Sequence, residues 1–229
     1  MKKKPEIKET FAPRKTHRWF FAGLTLAILV VVGTATYYFL QSRPSAVLAR
    51  VNGVEITRHE VDYYGYLSLM QSWDPTGIDN EMKAEKNIGA YTLQVMIDRQ
   101  LLLQEAKKRG ISVSEKAVAF AYSNYIASYS DESDYKIMLK EVNATEKEAE
   151  DMVADNLTIE ALMNSLVPDS SVTDRELQAF YIAHRTCYAG MGGFTGNKKQ
   201  VKADYLADAR PAALNKLLAQ LTKTADIRK

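Results

Sequence analysis

Hydrophobic positions follow two rhythms along this chain. In residues 47–57, "VLARVNGVEIT", apolar and polar residues alternate on either side of Asn52-Gly53. Alternation is the period of a half-buried strand, and Asn-Gly is the strongest two-residue hairpin signal, because both positions of a type I′ turn take positive φ. The pattern predicts two short strands, with Val47, Ala49 and Val51 on the first and Val54 and Ile56 on the second.

After Thr57 the rhythm becomes helical. Thr57 and Glu60 have capping-box spacing, so a helix is expected over residues 58–72, followed by a break at "DPTGIDN" (74–80). The stripe Leu93, Met96, Ile97, Leu101 and Leu102 predicts a helix over 87–109, stopped by Gly110. Ser114 opens the next helix, with Val118, Tyr122, Tyr125, Ile126 and Tyr129 on its inner face; "SDESD" reads as a loop, and 135–142 as a short helix. Thr145 with Glu148 caps a helix to Leu166, with Met152, Leu157, Leu162 and Met163 inside, and Thr173 with Glu176 caps another that ends near Arg185. Helical spacing returns over 201–222, where Pro211 predicts either a kink or a second helix beginning at its first turn. "ADIRK" at the end reads as a strand. A lone hairpin is marginal in water and a third strand stabilises it, so the two ends of this region are expected to meet.

One stretch follows neither rhythm. Residues 19–40, "WFFAGLTLAILVVVGTATYYFL", carry no charge, open with Trp19 and close with Tyr37 and Tyr38 near the end. As a helix they measure roughly 33 Å, enough for a hydrocarbon core of about 30 Å, and Trp19, Tyr37 and Tyr38 suit the headgroup zone. A cleaved signal peptide has a shorter apolar core, of about 7 to 15 residues, so the expectation is an uncleaved single-pass anchor. Residues 1–18 hold seven Lys or Arg against two Glu, which places the N-terminus in the cytoplasm and everything after Ser42 outside it.

Composition then narrows the function. The chain carries +2 overall, so with +5 in residues 1–18 the rest carries −3, and a slightly acidic body argues against nucleic acid as partner. Cys187 is the single cysteine, and His17, His59 and His184 are scattered, so neither an internal disulfide nor a metal site is expected. No ATP is supplied outside the cytoplasm, which disfavours nucleotide-driven chemistry. "HRTCYAGMGGFTGNKKQ" (184–200) holds four of the eleven glycines, but it fits no phosphate loop. Thr195 stands where the dinucleotide pattern needs glycine, and Gly196 is followed by Asn197 instead of Lys. No nucleophile and base are placed together by periodicity, so no catalytic residue and no cofactor are expected. His59 reads as solvent-facing, and Glu148, Glu150 and Asp151 as surface helix charges.

Four stretches in order, "VLARVNGVEITRHEVD", "MIDRQLLLQEAKKRGISVSEKAV", "YKIMLKEVNATEKEAEDMVADNLTIEALM" and "VTDRELQAFYIAHR", resemble the N-terminal, substrate-binding domain of the SurA and PrsA family of bacterial extracytoplasmic folding factors. The tail "VKADYLADARPAALNKLLAQLTKTADIRK" is similar to the segment that completes that module, although Asn143 stands where the family often has glycine, and Pro211 departs from it further. Many relatives insert a parvulin-type prolyl isomerase domain between segments that here end at Arg185 and resume near Lys198. The resemblance therefore implies the binding module without the catalytic one. The remaining alternatives are an isomerase relative with reduced or lost catalysis, for which His184, Cys187, Met191 and Phe194 would be the remnant, and a docking protein for one fixed membrane partner.

The expected fold is mainly α: one N-terminal transmembrane helix, then a helical SurA N-terminal-like domain whose small hairpin is joined by the C-terminal strand. The expected parts are a basic tail (1–18), an anchor (19–40), a linker (41–45), the chaperone domain (46–185), a Gly-rich connector (186–199) and a closing helix and strand (200–229). The expected partners are unfolded or newly secreted polypeptides and the membrane, with no nucleic acid or nucleotide. Tyr63, Tyr64, Tyr66, Met70, Tyr122, Tyr125 and Tyr129 are the expected client-binding residues, because Met adapts its shape and Tyr joins apolar area to a polar tip. Neighbouring helical positions lie 100° apart, so at least one of Tyr63, Tyr64 and Tyr66 is expected to be exposed.

Overall fold

The computed structural model describes residues 46–71, 85–190 and 192–229, with the side chains of 67–71 and 85–88 excepted. The basic tail, the apolar stretch 19–40, the linker 41–45 and the break at 74–80 lie outside the described residues. Among those described, no helix is long and apolar enough to cross a membrane.

The hairpin forms as its turn dictates. Strand β1 (Val47–Val51) pairs antiparallel with β2 (Val54–Thr57) in the register Val51↔Val54, Arg50↔Glu55 and Ala49↔Ile56. Asn52 and Gly53 both have positive φ, 51° and 86°, as a type I′ turn requires. Ala49, Val51 and Ile56 are buried, but Val47 and Val54 are exposed. The register slips between Val47 and Ala49, which takes Val47 out of the alternation, and Val54 lies beside the turn on a free edge. At the other end of the chain β3 (Ile227–Arg228) pairs antiparallel with β1, giving the sheet order β2-β1-β3. The two ends of the domain meet in this sheet.

Seven α-helices are described. Helix α1 (Arg58–Gln71) follows the hairpin directly, and α2 (Glu85–Lys108) packs against β1, α1, α5 and α7. A Schellman motif ends α2 at Gly110, whose φ is 70°, with Ile111 N–H donating to the Ala106 carbonyl at 2.9 Å and Gly110 N–H to Lys107 at 3.0 Å. Helix α3 is Glu115–Ala127, capped by Ser114. Helix α4 spans Glu132–Glu141, three residues earlier than the sequence pattern suggests, because Asp131 accepts from the Asp134 N–H and caps it inside the stretch read as a loop. Asn143 ends α4 at φ 52°, standing in for glycine at the left-handed position.

Helix α5 (Glu146–Leu166) and α6 (Asp174–Ala183) both start with complete capping boxes, Thr145 with Glu148 and Thr173 with Glu176. Helix α7 (Gly193–Thr224) is 32 residues long and runs unbroken through Pro211, so no second helix begins there. Pro211 removes one N–H from the ladder, but packing holds both sides of it: Leu206 and Leu217 are buried, and Arg210 reaches the Val167 carbonyl and the Asp169 carboxylate. The glycine stretch is also more ordered than a connector. It contains a short 3-10 helix (Arg185–Tyr188) and the first turns of α7.

Four apolar clusters hold the unit Val47–Lys229 together. Ala49, Val51, Ile56, Val61, Ile97 and Leu101 join the sheet to α1 and α2; Leu102, Ala106, Leu162 and Leu217 join α2, α5 and α7. Tyr63, Tyr135, Met138, Leu139, Ala149 and Met152 join α1, α4 and α5, and Leu177, Tyr188 and Val201 join α6 to the start of α7.

Asn52 ties three elements at one point. Its N–H donates to the Asp226 carbonyl at 2.8 Å, its side-chain oxygen accepts from the Asp226 N–H at 2.9 Å, and its amide donates to Gln104 at 2.7 Å. Asn52→Ala should destabilise the domain by about 1–2 kcal/mol, through two lost side-chain bonds at an exposed site and a left-handed backbone that alanine disfavours. Asn52→Gly, which keeps the backbone, should cost less. Urea denaturation of both variants measures the difference.

Candidate functional site

The structure brings together six of the seven residues expected to bind clients. Tyr63, Tyr64 and Tyr66 lie on α1, Tyr122 and Tyr125 on α3, and Tyr129 just after it, all in or against the third apolar cluster. The side chain of Met70 lies outside the described residues. None of the three α1 tyrosines is fully exposed: Tyr63 is buried, and Tyr64 and Tyr66 are half-buried. Helix α1 is covered on more than one side. The Arg99 guanidinium of α2 lies 5.2 Å above the Tyr64 ring, and the Tyr66 hydroxyl donates to Glu141 of α4 at 2.9 Å.

Tyr135, absent from the expected set, is the hub of this cluster at 1% exposure. It meets Tyr122, Tyr125 and Tyr129 with ring centroids 6.3, 6.1 and 5.4 Å away, the first two edge to face. The hydroxyls pair as well, Tyr122 with Tyr135 at 2.7 Å and Tyr125 with Tyr129 at 3.0 Å. Burial raises the Tyr63, Tyr125 and Tyr135 hydroxyls well above the ordinary phenol range, so they stay neutral. Much of the tyrosine surface is therefore turned on itself. Tyr63 and Tyr64 also line an open cavity.

That cavity, of about 210 Å³, lies between α1, α2 and α5. Tyr63, Tyr64, Met96 and Met152 supply its apolar wall, and His59, Glu60, Glu148, Asp151 and Asp155 its polar part. Arg99 lies at its base at 7% exposure, donating to the Met152 carbonyl at 3.2 Å and to the Asn156 side chain, and lying 3.3 Å from the Asp155 carboxylate. A buried guanidinium requires such partners. Burial pushes Asp155 above the usual carboxylate range, against the pull of Arg99.

His59 is not solvent-facing. Its Nε2 lies 2.9 Å from Glu148 Oε1 across 89 residues of sequence, and its ring stacks on Tyr63 at 6.4 Å. Glu148 is more than a surface charge, since it caps α5 with one oxygen and meets α1 with the other. Sequence spacing held a signal for Arg99: Thr92, Met96 and Arg99 fall at i, i+4 and i+7, on one face of α2. No sequence signal pointed to the His59–Glu148 pair.

The residues considered as an isomerase remnant do not form a site. His184 packs tilted against Phe180 with ring centroids 4.1 Å apart, Cys187 is exposed, Phe194 packs on Tyr181, and Met191 lies outside the described residues. No group of three or more metal-ligating side chains is found among the described residues.

Burial pushes the Glu148 carboxyl up, but bonds from the Thr145 N–H and hydroxyl and from His59 outweigh it and hold it below the usual range. A carboxyl lowered on folding stabilises the fold above its unfolded value near 4.5, and that contribution is lost as pH falls through the folded value. Asp155, which is raised, acts in the opposite sense. In urea titrations stepped from pH 5 to 3, Glu148→Gln should lose less stability than the parent chain, because glutamine keeps the cap without titrating.

Three comparisons bear on this arrangement. A family model described as a SurA-like N-terminal domain matches residues 12–163, a span that includes the tyrosine cluster and the cavity. The foldase protein PrsA of Clostridium acetobutylicum is 24% identical over 183 residues, covering 71% of this chain and 55% of that protein. The foldase protein PrsA of Caldanaerobacter subterraneus subsp. tengcongensis is 29% identical over 99 residues, covering 43% and 27%. The chain thus matches about half of the first relative's length and about a quarter of the second's. No solved structure matches significantly. With the family model covering well over half its length, the chain belongs to the SurA-like N-terminal domain family.

Proposed function

We propose that this chain is a membrane-anchored, extracytoplasmic, ATP-independent chaperone module that holds unfolded or newly secreted polypeptide. The observation that carries this reading is the family match over the region containing the open, Tyr- and Met-walled cavity. The two relatives named as foldases support it, and the uncharged stretch 19–40 supports the anchor. The mechanism is reversible holding. The hydrocarbon parts of client side chains rest on Tyr and Met surfaces, which lowers the concentration of free aggregation-prone chain. Packing of the tyrosines on one another keeps that surface rigid, so little ordering has to accompany each encounter.

Residues 43–229, which contain the compact unit 47–229, should delay aggregation of a chemically unfolded client at stoichiometric excess and without nucleotide. Light scattering indistinguishable from that of the client alone would refute the proposal. In cells, crosslinks from the full chain should spread over many products, whereas one dominant product would indicate docking to a fixed partner.

A further inference from the structure

Resting on the reading of the chain as a polypeptide-binding module, the geometry points to the cavity between α1, α2 and α5 as a receptor for one basic side chain, lysine or arginine, of the bound polypeptide. Its size sets the first limit. At about 210 Å³ it is smaller than the roughly 300–1,000 Å³ of sites for drug-sized ligands, and it suits a single side chain entering from an extended chain.

Its chemistry sets the second. Tyr63, Tyr64, Met96 and Met152 offer an apolar wall to a hydrocarbon stem, and aromatic faces attract the cation at its tip. Four carboxylates, Glu60, Glu148, Asp151 and Asp155, line the same space against the single guanidinium of Arg99. Counting Lys147, which takes one oxygen of Asp151 at 2.7 Å, as a second cation still leaves an excess of two negative charges. Arg99 itself shows what this wall accepts: its guanidinium lies over Tyr64 with Asp155 and the Met152 carbonyl as partners. Asp155 is the partner of Arg99 at 3.3 Å, but Glu60 and Asp151 are exposed and pair with Thr57 and Lys147 instead, so an entering cation meets carboxylates that Arg99 does not hold.

A third observation is independent of charge. Tyr63, which lines the cavity and is 94% buried, carries the one buried side-chain polar atom without a hydrogen-bond partner among the described residues, its hydroxyl. A neutral phenol oxygen accepts from an N–H donor, which lysine, arginine and glutamine all bring, so this atom favours a nitrogen-bearing side chain and the carboxylates favour a charged one. An apolar side chain would leave that hydroxyl unsatisfied and desolvate the carboxylates without compensation. An acidic one would be repelled.

The test uses the full chain in detergent micelles and fluorescently labelled extended peptides of equal apolar content that differ at one central position, Lys, Arg, Gln or Glu. Fluorescence anisotropy should show the Lys and Arg peptides binding about tenfold tighter than the Gln peptide, with the Glu peptide weakest and the preference shrinking as salt rises. Asp151→Lys should abolish the preference. Asp151→Asn, a milder change at the same exposed position, should reduce it to about threefold, and Glu132→Gln, outside the cavity, should leave it intact. Equal affinity of the parent chain for the Lys and Gln peptides, or a preference that survives both Asp151 variants, overturns the assignment while leaving the holding function in place. Failure of all four peptides to bind, together with no delay of client aggregation, overturns the polypeptide-binding reading and the assignment with it.

Discussion

The pairing of β1 with both ends of the domain is the constraint on which the rest of this structure depends. Strand β1 is the middle strand of three, and its partners lie two residues and about 175 residues away in sequence. Closing the longer of these loops costs chain entropy that a two-residue β3 does not repay alone. The repayment comes from Leu218, Leu221 and Ile227, which pack with α7 and β3 against Val51, Ile97 and Leu101, and from the Asn52 bonds to Asp226. Everything between the two ends is thereby held as one excursion from the sheet.

Helix α2 organises that excursion by presenting different chemistry on different faces. Ile97 and Leu101 pack on the sheet and Leu102 and Ala106 on α5 and α7, while Thr92 and Arg99 face α1 and α5. The crossing of α1 over α2 is close: a Cβ on Gly65 would sit 3.1 Å from Thr92 Oγ1. That approach places Tyr64 under Arg99, and Arg99 then reaches Asp155 and the Met152 carbonyl on α5. Breaking such a buried pair by removing one partner is usually costly. The cavity wall and the helix packing are thus the same set of contacts.

The tyrosine cluster has a double role for the same reason. The Tyr122, Tyr125, Tyr129 and Tyr135 rings pack on one another and their hydroxyls bond in pairs, which ties α3 to α4 beside the cavity. Most of its aromatic area goes into packing, and Tyr63 and Tyr64 border the cavity beside carboxylates that cap or link helices. A surface combining packed aromatics with acidic groups differs in chemistry from a plain apolar groove.

What the sequence by itself determined is the local chemistry. The Asn-Gly turn, the capping boxes at Thr145 and Thr173 and the stop at Gly110 each depend on residues within a few positions of one another, and each is legible; the closing strand is legible in its alternation and in the need of a lone hairpin for a third strand. The N-terminus of α4 is ambiguous within the same local range, because Asp131 suits a loop as well as a cap. The tertiary structure alone decided the rest: the burial of Arg99, the His59–Glu148 pair, the continuity of α7 through Pro211, and the folding of the glycine stretch into helical turns against α6. These depend on segments dozens of residues apart arriving at one place. Turns and caps are stabilised by bonds that the chain makes to itself nearby, whereas a buried charge or an interrupted helix survives only where remote side chains supply its partners.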